Sequence, residues 1–76
     1  MPHAIIKLYA GRSPQQKQKL ADEVTKAIMI GAGVDEDTVS VSIEDIEPAD
    51  WDEKVYKPDI AQRPEILYKK PGYDPV

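Results

Sequence analysis

The stretch HAIIKLYAGRSPQQKQKLADEVTKAI, residues 3–28, decides the fold. Its first part, His3 to Tyr9, is short and apolar, with Ala4, Ile5, Ile6, Leu8 and Tyr9 interrupted only by Lys7. That length, the β-branched pair and the Gly11 that follows predict a strand rather than a helix. Successive side chains alternate across a strand, so Ala4, Ile6 and Leu8 share one face and Ile5, Lys7 and Tyr9 the other. A helix start comes next. Ser13 occupies the N-cap, Pro14 the first helical position, and Gln16 lies three residues after the cap. This is a capping box, with proline where its missing N–H does no harm. Leu20, Val24, Ala27 and Ile28 fall on one helical stripe, with Lys17, Lys19, Asp22, Glu23 and Lys26 elsewhere. Gly31 or Gly33 offers the left-handed position that ends the helix.

Downstream, a polar turn (Asp35, Glu36, Asp37) leads into a clean alternation. Val39, Val41 and Ile43 point one way, and Ser40, Ser42 and Glu44 the other, as in a half-buried strand. Strand, helix and strand over about 40 residues make a β-α-β unit with parallel strands. Past Pro48, Trp51, Val55 and Ile60 suit short helical turns, and Pro58 and Pro64 interrupt any long helix. Glu65 to Lys70 is expected as a last helical turn, and Pro71-Gly72 as a turn before Tyr73. The expectation is a single α/β domain over residues 1–76, without repeats or linkers. Two parallel strands and one main helix do not close a core, because parallel sheets are covered on both faces and a strand pair is not stable alone. The missing strands are expected from a second copy of the chain.

Composition supports the same conclusion. A chain of 76 residues hides a modest share of its surface, and it has neither cysteine for a disulfide nor a thiolate metal site. His3 is its only histidine. Oligomerisation is the remaining means of stabilisation. A net charge of −4 argues against a nucleic-acid surface, and Lys69 and Lys70 read as a solvated pair. The longest apolar run, Ala27 to Val34, is broken by glycines and falls well short of the roughly 20 residues that cross a bilayer. No secretory signal is recognisable at the N-terminus, so a cytoplasmic location is expected.

The familiar catalytic sets are missing. There is no cysteine nucleophile and no metal-ligand cluster, and the lone His3 does not make a triad. Gly31-Ala32-Gly33 ends a helix instead of opening one, and it lacks the third glycine of a dinucleotide loop. The N-terminus itself remains. Met1 is followed by Pro2, and initiator methionine is commonly removed ahead of a small residue or proline. Removal leaves a secondary amine whose pKa is lowered by desolvation or a nearby cation, which suits a general base near neutral pH. On Pro2 alone, an incidental Met-Pro start is the better reading.

Further residues shift that balance. Pro2, the short apolar strand, Gly11-Arg12-Ser13 with Gln15-Gln16-Lys17 behind it, Val39-Ser40-Val41 and Trp51 together resemble the 4-oxalocrotonate tautomerase superfamily. The segment Leu67-Tyr68-Lys69-Lys70-Pro71-Gly72-Tyr73 further resembles its bacterial phenylenolpyruvate tautomerase-like branch. The resemblance spans essentially the whole chain, and its specificity lies in the ordered set rather than in one motif. It implies a tautomerase-like β-α-β protomer whose parallel strand pair joins that of a second subunit into one sheet. It also implies cofactor-free keto–enol tautomerisation of a small 2-hydroxyenoate. Pro2 would be the base, Arg12 would hold a substrate carboxylate, and Trp51 would line the pocket. A solvated loop charge explains Arg12 about as well, and a plain core or interface aromatic explains Trp51 at least as well. Ser40 stands where hexameric members carry a second arginine, which favours a monocarboxylate with an apolar or aromatic tail. Arg63 is the candidate to replace that charge. The expected assembly is a homodimer, with a hexamer built as a trimer of dimers as the alternative. Two rival readings stay open. One is a dehalogenase or hydratase on the same scaffold, for which Ser40, His3 and Glu44 are the polar candidates. The other is a non-enzymatic oligomeric interaction module.

Overall fold

Ser13 caps the helix as its spacing predicts. Its hydroxyl accepts from the Gln16 N–H at 3.1 Å, and its own N–H donates to Gln16 Oε1 at 2.9 Å. In the computed structural model, which describes residues 1–73, this box opens α1, Pro14–Ala32. The helix ends at Gly33, in the left-handed conformation at φ 68°, with its N–H on the Met29 carbonyl. Gly31 stays inside the helix. Replacing Ser13 with Ala removes the hydroxyl that accepts from the Gln16 N–H, leaves the backbone bond to Gln16 Oε1, and is expected to cost about 0.5–2 kcal/mol, read from the midpoint of chemical unfolding. An unchanged midpoint would mean that the assembly holds this end of α1 by other contacts.

Strands β1, His3–Tyr9, and β2, Ser40–Ile46, flank the helix in sequence and pair in parallel, with His3 opposite Ser40 and Tyr9 opposite Ile46. The turn after β1 needs Gly11, whose φ of 126° is closed to other residues. Helix α1 packs over β2, and Lys17 near its start is ion-paired with Asp45 at 2.9 Å. Ala4, Ile6, Leu8, Val41 and Ile43 are half-buried, whereas His3, Ile5, Tyr9, Ser40, Ser42 and Glu44 are exposed. The half-buried stripe of α1 loses one expected residue and gains three others. Ala27 is exposed, and Ala21, Thr25 and Met29 join Leu20, Val24 and Ile28 instead.

The second half departs further from expectation. Pro58 does not end helical structure: Asp52–Ala61 forms a π-helix that runs through it, after a single 3₁₀ turn at Pro48–Asp50. A ring at position 58 is incompatible with an α-helical hydrogen bond back to residue 54. The wider winding bonds residues five apart, as from the Gln62 N–H to the Lys57 carbonyl at 3.1 Å. The turn expected at Glu65 to Lys70 is instead a short 3₁₀ turn at Pro64–Ile66. This segment lies over the sheet face opposite α1 and is tied to β1 by an ion pair between Lys7 and Asp59. The chain thus supplies part of a second layer itself. The two most buried apolar residues are Ile46 at 6% and Val55 at 5% exposure. By strand alternation Ile46 shares its face with Tyr9, so the small core lies away from α1. Among the described residues no helix is long and apolar enough to cross a membrane.

Candidate active site

Alternation along β1 turns His3, Ile5 and Lys7 toward the π-helical segment, and a cleft of about 510 Å³ lies between them. Its apolar walls are Ile5, Trp51, Val55, Ile60 and Ile66; its polar groups are His3, Lys7, Asp59 and Arg63. Lys7 is held protonated, its pKa raised above the ordinary 10.5 chiefly by the hydrogen bond to Asp59, against the opposing effect of desolvation. A lysine kept protonated in this way is poorly suited to act as a base. Sequence reading missed this pair, because nothing local marks two residues 52 positions apart as partners. It likewise missed Ile5 and Ile66 as walls of the cleft.

The residues singled out from sequence fall at two ends of β1. At one end, Pro2 is half-buried and its carbonyl accepts the Ser40 N–H at 3.2 Å. Beside it the Ser40 hydroxyl meets His3 Nδ1 at 2.6 Å. At the other end, Arg12 Nη1 donates to the Tyr9 carbonyl at 3.2 Å. Trp51 packs edge-on against Tyr9, with ring centroids 5.1 Å apart, and its Nε1 donates to the Tyr73 hydroxyl at 2.9 Å. The six steps from His3 to Tyr9, at about 3.3 Å each, put roughly 20 Å between the two ends. One chain therefore puts Pro2 beside Ser40, puts Arg12 and Trp51 each against Tyr9, and keeps Pro2 and Arg12 at opposite ends of β1. Among the described residues no cluster of histidine and carboxylates has the arrangement of a metal site.

A family model described as tautomerase enzyme matches residues 2–52, the span that contains all four of these residues. The chain belongs to the tautomerase family. A probable tautomerase of Xylella fastidiosa is 47% identical over 73 residues, covering 96% of this chain and 89% of that protein. Tautomerase PptA of Cronobacter sakazakii is 36% identical over 75 residues, covering 97% of this chain and 99% of that protein. Among solved structures, a 4-oxalocrotonate tautomerase isozyme of Methylibium petroleiphilum aligns with a TM-score of 0.64 and 36% identity, over 66% of this chain and 81% of its own. The 4-oxalocrotonate tautomerase homologue TomN, of a tomaymycin biosynthetic pathway, aligns at 0.63 and 32%, over 66% and 77%. The β-α-β architecture is thus that of the tautomerases, and the chain is an isomerase. A tautomerase moves a proton between oxygen and carbon, so its site must set one base beside both atoms and fix the substrate between them.

Proposed function

We propose that this tautomerase uses the nitrogen of Pro2, freed by removal of Met1, to interconvert the enol and keto forms of 2-hydroxyenoates with an apolar or aryl tail. No cofactor is required. The amine takes the proton from the enol hydroxyl, the electron pair forms the C=O bond, and the former double-bond carbon receives a proton from the ammonium. Met1 is 98% exposed, so its loss disturbs no packing. Until it is lost, the Pro2 nitrogen is a tertiary amide and has no basic lone pair.

The observation that carries this reading is the separation of the two ends of β1. A two-fold axis that pairs either free strand edge with its own copy makes the new pairing antiparallel. The Arg12–Trp51 end of one chain then meets the Pro2–Ser40 end of the other. In that homodimer the partner's Arg12 grips the substrate carboxylate with two parallel N–H bonds, beside Pro2. Its charge also lowers the pKa of the proline ammonium. Because the segment after Pro48 already lies over part of the sheet face opposite α1, pairing at a free strand edge is the simplest association, which favours a dimer over a hexamer. The hydratase reading gains no support, since His3 and Ser40 hydrogen-bond each other instead of converging on a water site.

A shared site has a distinctive test. Pro2→Ala and Arg12→Ala proteins, each nearly inactive alone, are unfolded, mixed in equal amounts and refolded together. Half of the dimers are then mixed, and one of the two sites in each is whole. Recovery to roughly a quarter of wild-type turnover is expected. No recovery above the separate variants would sink the two-chain site.

A further inference from the structure

Tyr9, Trp51, Tyr73 and Tyr56 form a connected chain of aromatic rings at the Arg12 end of β1. Trp51 packs edge-on against Tyr9, and its Nε1 donates to the Tyr73 hydroxyl at 2.9 Å. Tyr73 in turn lies against Tyr56 of the π-helical segment, with ring centroids 5.8 Å apart and planes inclined at 50°. Both ring pairs fall within the roughly 4.5–7 Å separation that aromatic side chains favour. The backbone bends at Tyr68, Lys69 and Gly72 on its way to this contact. Trp51 is the chain's only tryptophan, and it lines the cleft. The outer torsion of such a side chain is broad, so a half-buried indole needs a partner at its polar atom to keep one orientation. Tyr9 supplies the packing contact, and Tyr73 supplies that partner.

We infer that Tyr73 is a positioning residue, whose hydroxyl holds the Trp51 indole in the orientation that receives the substrate's tail and so sets a preference for aryl over alkyl 2-hydroxyenoates. The inference rests on the proposed Pro2 site and deepens it by naming what selects the tail. Tyr73 touches no reacting atom and acts through Trp51. In the two-chain site both residues come, with Arg12, from the chain that does not supply Pro2. Tyr73 lies beyond the family match at residues 2–52, so the device belongs to a part of the chain which that match does not describe. An aryl ring gains from an indole only in an offset or edge-on arrangement, which makes the orientation of Trp51 matter. An alkyl tail needs only apolar surface, and it is served nearly as well by an indole free to turn.

Tyr73→Phe keeps the ring against Tyr56 and removes only the acceptor. With a single tryptophan in the chain, one indole N–H proton resonance reports the bond directly. In Tyr73→Phe that resonance is expected to move upfield and to exchange faster with solvent. The ratio of kcat/KM for the enol of phenylpyruvate over that of 2-oxohexanoate is expected to fall about two- to tenfold, the scale of one aromatic contact. The fall should be carried by KM, because the tail is held equally in ground and transition states. In a Trp51→Phe background, which has no donor, adding Tyr73→Phe is expected to change the ratio no further. Sedimentation checks that each variant keeps the wild-type assembly. An indole resonance that does not move, an unchanged aryl-to-alkyl ratio, or an equal further loss in the Trp51→Phe background overturns the inference. If the processed wild type turns over neither enol, the Pro2 reading has failed. The relative affinity for cinnamate over 2-hexenoate, expected to fall in step in Tyr73→Phe, then decides the role of Tyr73.

Discussion

Pro2→Ala is expected to remove nearly all tautomerase turnover from the processed protein while leaving the assembly intact. The proposed chemistry needs one group that accepts a proton from oxygen and returns it to carbon, at the end of the sheet where the substrate is clamped. Lys7 is fixed by Asp59, and the His3 nitrogen facing Ser40 is engaged with its hydroxyl. The proposal gives that role to the amine at position 2. Positioned general bases typically contribute on the order of 10² to 10⁴ in rate, which sets the size of the loss. Some activity is expected to survive, because alanine at position 2 still offers a primary amine. Its greater freedom and heavier solvation make it a poorer base in that place. Protein that retains Met1, identified by intact mass, is expected to be inactive for a separate reason: its position-2 nitrogen is an amide. Near wild-type turnover in either protein would remove Pro2 from the chemistry.

Legibility in the sequence followed the range of the interactions concerned. Strands β1 and β2 and helix α1 are written in local signals. The alternation Val41-Ser42-Ile43 and the Ser13–Gln16 box each act within a few residues, and both elements formed where those signals lie. Ala27 failed because a stripe at helical spacing is about 100° wide and a residue at its margin can fall outside. The segment after Pro48 was misread because Pro58 was weighed against an α-helix alone. A π-helical winding tolerates it, and no sequence rule counts the packing against β1 that holds that winding in place. The site shows the same division. Pro2, Arg12, Ser40 and Trp51 were picked out through resemblance, and the family match spans all four. That Pro2 and Arg12 of one chain stand at opposite ends of β1 is a matter of tertiary distance. Arg63 was named from charge alone, and its place in the cleft depends on how the segment from residue 52 to residue 66 crosses β1.

The same geometry leads to the expectation that this chain has no stable folded monomer. Only Ile46 and Val55 are buried among the described apolar residues, and α1 contains no buried residue at all. Ile5 is 62% exposed and Ile30 85%. Full burial of such a side chain contributes about 1.5–3 kcal/mol, whereas ordering each backbone residue costs about 1–2 kcal/mol. Two buried side chains and a set of half-buried ones do not offset that cost across the chain. Each strand of the two-stranded sheet also leaves one edge of N–H and C=O groups unpaired. A partner that pairs one edge and covers the neighbouring apolar side chains supplies both missing contributions at once. Folding and association then form a single equilibrium, and mass action makes the thermal midpoint depend on concentration. For a dimer of this size the midpoint is expected to rise roughly 3–5 °C with each tenfold increase in protein. Sedimentation at the lowest concentrations should show the dimer giving way to unfolded chain. The measurement is decisive in the other direction too. A compact monomer with native circular dichroism at micromolar concentration would show that the segment over the open sheet face completes the core by itself, and the two-chain site would lose its basis.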